Sequence, residues 1–242
     1  MQGTNKALQQ QLTSAIQRLK NFRLNPTKAL QQPDGVITRV PGNNTVFINL
    51  GQGMEVSPGL TFEVYDKHRG LPPLTTPNGD ETELPAGKAS IEVIRVLPAG
   101  SECRIIKTAT SQTIVEGDII LNLVYNPHTK FDFVVYGDFD LAQSGQATAA
   151  DADVVRRLIT QWGGKVSDQV TVDTDFIVLG KEPLVPNLPE SPSPLDTERR
   201  EKAQKALDAY LDIRSKAIQF SVPILNQNRF LYFVGYYDQA QR

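Results

Sequence analysis

TQWGGKVSDQVTVDTDFIVLG, residues 160–180, is the stretch on which the fold turns. The tail of an amphipathic helical pattern runs into Gly163 and Gly164, then into a short run starting at Lys165 and Val166, then into TDFIVLG, which is apolar without alternation. A helix commonly ends at a residue that takes the left-handed C′ conformation, which suits the first glycine, and a second glycine leaves no side chain against a closely packed sheet. A strand without polar alternation is buried on both faces, as parallel strands are. The stretch therefore predicts a helix, a tight corner and two strands of an α/β unit.

Working outward, FDFVVYG at 131–137 reads as the first buried strand of that unit. Thr148, followed three residues later by Asp151, makes a capping-box-like start for a helix with Val154, Val155, Leu158, Ile159 and Trp162 on one face. After the strand Thr174–Gly180 comes KEPLVPNLPESPSPLD, 181–196, a Pro-rich insertion that suits neither a helix nor a central strand. A charged helix is predicted from Thr197 to Lys216, with Ala203, Ala206, Leu207, Tyr210 and Leu211 toward a sheet and Glu198–Lys202 and Glu201–Lys205 pairs outside. IQFSVPIL, 218–225, supplies a fourth strand, and NQNRFLYFVG, 226–235, a last helix capped by Asn226 and closed by Gly235. Residues 128–242 thus read as βαββαβα around a four-stranded parallel sheet.

On the other side, residues 34–127 hold six short β-branched runs punctuated by turn residues: GVITRV, TVFINLG, GLTFEVY, KASIEVIRV, ECRIIK and GDIILNLVY. They predict a small antiparallel barrel or sandwich, with a long Pro- and Gly-rich loop from Lys67 to Gly87 as its ligand-facing element. In residues 1–33, Leu8, Leu12, Ala15, Leu19 and Phe22 are spaced 4, 3, 4 and 3 apart. That seam is either a helix packed on its own domain or the end of a coiled coil that would make a homo-oligomer. The fold class expected is α+β in two domains: helix, β-barrel or sandwich module, then α/β domain.

Composition removes several function classes. The chain has 242 residues, 25 Lys plus Arg against 27 Asp plus Glu, one cysteine and two histidines. Length suits two modest cores, and the near balance of charge provides no global basic field to hold a nucleic acid. Cys103 cannot form an internal disulfide, and with only His68 and His128 a Cys/His zinc site cannot be assembled. No apolar run approaches the roughly 20 residues that cross a bilayer. The start, MQGTNKALQQQ, lacks a secretory apolar region, so an anchor would have to lie upstream of residue 1. No nucleophile elbow, phosphate loop or paired catalytic carboxylate is signalled, and no cofactor is implied.

Two resemblances add to this reading. TVFINLGQGMEVSPGLTFEVY with KASIEVIRV and IVEGDIILN resembles the C-terminal β-domain of flagellar assembly protein T and similar envelope-associated β-modules, over about 90 residues. It implies a non-catalytic interaction module. The helix-Gly-Gly-Lys-Val junction, the TDFIVLG strand and the ILNQNRFLYFVG finish resemble the BRCT domain, particularly the kind appended to bacterial NAD-dependent DNA ligases, from Phe131 to Tyr236. The ligase reaction itself is not implied, because no Lys-x-Asp-Gly motif is present.

The BRCT resemblance implies two kinds of site. Phosphopeptide-reading members grip phosphate with a Ser or Thr before a Gly at the end of the first strand and a Lys in the second long helix. Here those positions fall on Tyr136, Gly137 and either Lys202 or Lys205, and the Tyr departs from the pattern. DNA-end contact would use Arg156, Arg157 and Lys165 around the Gly163-Gly164 turn. A third candidate comes from the residues alone: in DFDLAQSGQATAAD, Asp140, Ser144, Thr148 and Asp151 fall at calcium-loop positions 1, 5, 9 and 12, although a turn followed by a helix cap explains the same residues. The function expected is a non-enzymatic scaffold or adaptor that binds a protein partner; a DNA-associated factor acting at nicks or ends is the alternative. The compartment stays open between cytoplasm and envelope.

Overall fold

A computed structural model describes residues 32–74, 85–109, 112–189 and 193–237. The helix read within residues 1–33, with its oligomerising seam from Leu8 to Phe22, lies outside the described residues.

The six β-branched runs become β1 (Gly35–Gly42), β2 (Thr45–Ile48), β3 (Thr61–Tyr65), β4 (Ala89–Val96), β5 (Ser101–Thr108) and β6 (Ile119–Leu121). They close a six-stranded antiparallel barrel in the order β1-β2-β5-β4-β3-β6, with Gly35 paired to Ile120 across the seam. Of the two architectures left open by the sequence, the barrel is the one formed, and it removes every sheet edge. Ile37, Val46, Ile48, Phe62, Val64, Ile91, Val93, Cys103 and Ile120 are buried in its core. Cys103 is fully buried, and burial, with Glu102 beside it, pushes the thiol up to about 12. β3 is buried at all five positions: Thr61 donates to Val234 O of the second half of the chain, while Glu63 and Tyr65 bond Gly87, Ser90 and Pro85 of the barrel half.

That second half comprises β7 (Asp132–Tyr136), α1 (Ala149–Gln161), β8 (Lys165–Ser167), β9 (Phe176–Leu179), α2 (Pro194–Phe220), β10 (Ile224–Asn226) and α3 (Gln227–Phe233). The sheet is parallel throughout, in the order β8-β7-β9-β10. Period-two alternation divides its side chains between two layers. Phe133, Val135, Phe176, Val178 and Leu225 join α1, α3 and the barrel in one continuous core. Val134, Ile177 and Leu179 face α2, where Tyr210, Ile213 and Ala217 are buried.

The opening stretch behaves as its residues require. Gly163 has φ +96°, and its N–H bonds to the Thr160 carbonyl at 3.2 Å. The crowding at Gly164 differs from expectation: a Cβ there would lie 2.7 Å from Ile159 Cγ2 and 2.8 Å from Val124 Cγ1, so the glycine clears its own helix and the chain leaving the barrel, not the sheet. Thr148 caps α1 by accepting from the Asp151 N–H at 3.2 Å, while the Asp151 carboxylate accepts from Leu141 N instead of returning to the cap.

Five further expectations need correction. β9 begins at Phe176, because Thr174 is drawn into a turn in which its hydroxyl accepts from Thr171 N. α2 begins at Pro194, inside the predicted insertion: Ser193 and Asp196 form a reciprocal capping box, and proline is tolerated at the first helical position. Its buried stripe is Tyr210, Ile213 and Ala217, whereas Leu211 is 46% exposed, because only the C-terminal part of the helix lies over the sheet. Ile218 and Phe220 finish α2, leaving β10 only Ile224–Asn226. The ion pair found along α2 is Asp212–Lys216 at 2.7 Å, and neither predicted Glu–Lys pair closes among the described residues.

Candidate functional site

In an open parallel sheet the strand order reverses at one point, and the helices on either side of that point leave a crevice at the carboxyl ends of the strands. Here the reversal falls between β7, the first strand, and β9, the third. A crevice of about 440 Å³ opens there, lined by Asp140, Gln143, Gly145, Leu179 to Lys181, Asn226 to Asn228 and Tyr237.

Its floor is set by close backbone approach. Past the sheet, Gly180 N donates to Tyr136 O and Lys181 N to Asp138 O, both at 2.8 Å. A Cβ on Gly180 would stand 2.2 Å from Asp138 O, so the glycine ending TDFIVLG is there to let the two chains pass.

The wall from the β7–α1 loop is an Asp-centred turn. Asp140 Oδ1 accepts from Ser144 N at 2.8 Å and Ser144 Oγ at 3.1 Å; Oδ2 accepts from Gly145 N at 2.7 Å and Lys181 Nζ at 3.4 Å. Burial opposes the charge of Asp140, but the Ser144 and Gly145 amides, the Ser144 hydroxyl and Lys181 outweigh it and hold the carboxyl below the ordinary Asp range. Gln227, the first residue of α3, grips the same loop in both directions: its Oε1 accepts from Asp140 N and its Nε2 donates to Asp140 O, each at 2.8 Å. Lys181 also donates to Gly145 O at 3.3 Å. Gln143 donates to the Tyr237 hydroxyl, and the Tyr237 ring stacks on Tyr232 at 4.2 Å.

The predicted site residues are placed as follows. Asp140, Ser144, Thr148 and Asp151 form a turn and a helix cap: both carboxylates accept backbone N–H groups, and no three His, Cys, Asp or Glu side chains converge among the described residues. Tyr136 points toward α2, where its hydroxyl donates to Ala206 O at 3.3 Å; Lys202 and Lys205 are exposed on that helix, and neither lines the crevice. Gly137, with φ +92°, lies against Lys181 O and Gly180 beneath the crevice. Arg156 bonds Asp153 at 2.8 Å and Val135 O at 3.0 Å, Lys165 bonds Asp132 at 3.1 Å, and Arg157 is exposed. The two arginines on α1 and Lys165 beyond the Gly163-Gly164 corner do not reach the crevice.

Sequence reading missed Gln143, Lys181, Gln227, Asn228 and Tyr237, which come from four separate segments. A Gly-Lys immediately after a strand apolar on both faces was the one local signal available.

Chemically, the crevice offers carboxamides, a phenol, an amide-saturated carboxylate and a lysine shared with it. None of its lining residues is a Ser, Cys or His. Such a lining can exchange hydrogen bonds with a polypeptide backbone. A larger hollow of about 780 Å³ lies on the barrel, lined among others by Tyr65, Arg69 and Lys88.

No protein-family model matches the chain, and a search of curated proteins gives no match.

Proposed function

We propose that this protein is a non-enzymatic adaptor that holds a segment of a partner protein in the crevice at the carboxyl ends of its parallel sheet. The observation that carries the reading is the coincidence of that crevice with the reversal point of the strand order, lined by Gln143, Lys181, Gln227 and Asn228. Open α/β sheets bind ligands at that place for topological reasons, and amide-rich linings suit peptide backbone better than covalent chemistry. The BRCT-like pattern of Phe131–Tyr236 supports the binding of a protein partner, whereas the phosphate-reading positions it implies, Tyr136 and Lys202 or Lys205, lie outside the crevice. Selection of a random-peptide display library against the full chain tests it. A consensus peptide that binds the wild type and loses at least tenfold in affinity to Lys181→Glu is expected. Failure to enrich any consensus, or binding unaffected by Lys181→Glu and Gln227→Ala, would contradict the proposal.

A further inference from the structure

The chain leaving the crevice after Lys181 is rich in proline. Pro183, Pro186 and Pro189 are spaced by three, and in the sequence the spacing continues to Pro192. Each proline fixes its own φ near −65°, and each pushes the residue before it, Glu182, Val185 and Leu188, out of the helical region toward polyproline II. Only Leu184 and Asn187 keep local freedom, and neither takes a positive φ. The segment forms neither helix nor strand, and among the described residues no backbone hydrogen bond ties Glu182–Pro189 to a neighbour. Those are the conditions of a polyproline II helix, which has three residues per turn and no internal hydrogen bonds.

A three-residue turn sorts the side chains onto three edges. Val185 and Leu188 share one edge and are half-buried against the rest of the protein. Pro186 and Pro189 stand exposed on the second edge, and Leu184 and Asn187 on the third, with Leu184 89% exposed. At about 3.1 Å rise per residue the prolines of the second edge recur every ~9 Å. Two adjacent edges of a stiff prism, bearing prolines and a large aliphatic side chain, therefore face solvent together.

We infer that residues 183–189 are a polyproline II ligand, presented to a partner protein whose groove is lined by aromatic side chains. Aromatic grooves read this conformation by seating proline rings and neighbouring apolar side chains between flat faces, with little ordering entropy lost because the segment is already stiff. The occupant is a folded module with such a groove, distinct from the extended segment proposed for the crevice. The two sites stand or fall separately.

The test is titration of the full chain into isotopically labelled SH3, WW and EVH1 domains, followed by chemical shift. Saturable shifts confined to the aromatic groove of at least one domain are expected. Affinity should fall at least tenfold in Pro186→Ala/Pro189→Ala and at least fivefold in Leu184→Asp, and stay unchanged in Pro194→Ala, which alters only the start of α2. Because Leu184 is almost wholly exposed, Leu184→Asp should leave the thermal midpoint where it is. No binding to any of the three domains overturns the inference, as does binding that Leu184→Asp and the double proline variant leave intact. Lys181→Glu, which breaks the crevice, should not change this binding, so failure of either site is read independently.

Discussion

Gly235 sits against the backbone of Phe62: a Cβ added to the glycine would lie 2.5 Å from the Phe62 carbonyl carbon. Gly235 follows α3, and Phe62 is in β3 of the barrel, so the two halves meet here backbone to backbone. The φ of Gly235 is +64°, which adds backbone strain for any other residue. Gly235→Ala is therefore expected to cost at least about 2 kcal/mol, read as a shift of the urea midpoint.

Asn122 closes the same joint with hydrogen bonds. Fully buried after β6, it donates to Thr61 O at 2.7 Å and accepts from Val124 N at 2.9 Å, while Thr61 Oγ1 donates to Val234 O at 2.5 Å. Leu123 N reaches Phe233 O at 3.1 Å, so the last carbonyls of α3 are satisfied by the barrel. Asn122→Leu strands buried amides and carbonyls on both sides and should cost about 2 to 4 kcal/mol. Because the core is continuous, barrel and sheet should unfold in one transition: Trp162 fluorescence and far-ultraviolet dichroism are expected to coincide in the wild type.

Lys88 bridges two carboxylates, Asp66 at 2.9 Å and the fully buried Asp118 at 3.0 Å. Its hydrogen bond, with the amide of His68, holds Asp66 down at about 2. Lys88→Met leaves Asp118 without its cation and should cost about 3 kcal/mol. In the same variant the Asp66 carboxyl, followed by NMR, should rise toward the ~3.9 of a free aspartate; no movement would mean that Lys88 does not set it.

The loop lining the crevice should respond to acid in a defined direction. Asp140 titrates lower in the folded protein than in the unfolded chain, so its contribution to stability is complete above the unfolded value and is lost as pH falls through the lower folded value. The amide shifts of Ser144 and Gly145 should titrate together with a midpoint below ~3.9. Asp140→Asn should abolish that titration and leave Lys181 held to the loop through Gly145 O rather than by an ion pair.

Much of the fold was legible because local chemistry and burial agree. The six barrel runs, the Thr148 and Asn226 caps and the Gly163 terminus are each fixed by residues within a few positions. Barrel closure was not legible, since it depends on Gly35 meeting Ile120 across the whole module. The start of α2 was hidden because the prolines that suit a linker also suit a helix's first turn, and only the Ser193–Asp196 box distinguishes them. The crevice was least legible. Asp140, Ser144 and Gly145 are as compatible with a cation loop as with an Asp-centred turn, and Lys181, Gln227 and Tyr237 meet only through the crossovers.

The most direct measurement on the crevice is an amide chemical-shift map of the full chain titrated with a peptide enriched by display selection. Perturbations concentrated at Gln143, Gly145, Gly180, Lys181 and Asn228 are expected, and they should disappear in Lys181→Glu. Perturbations centred instead on Arg156, Arg157 and Lys165, or spread over the barrel with the crevice silent, would contradict the assignment of the partner site.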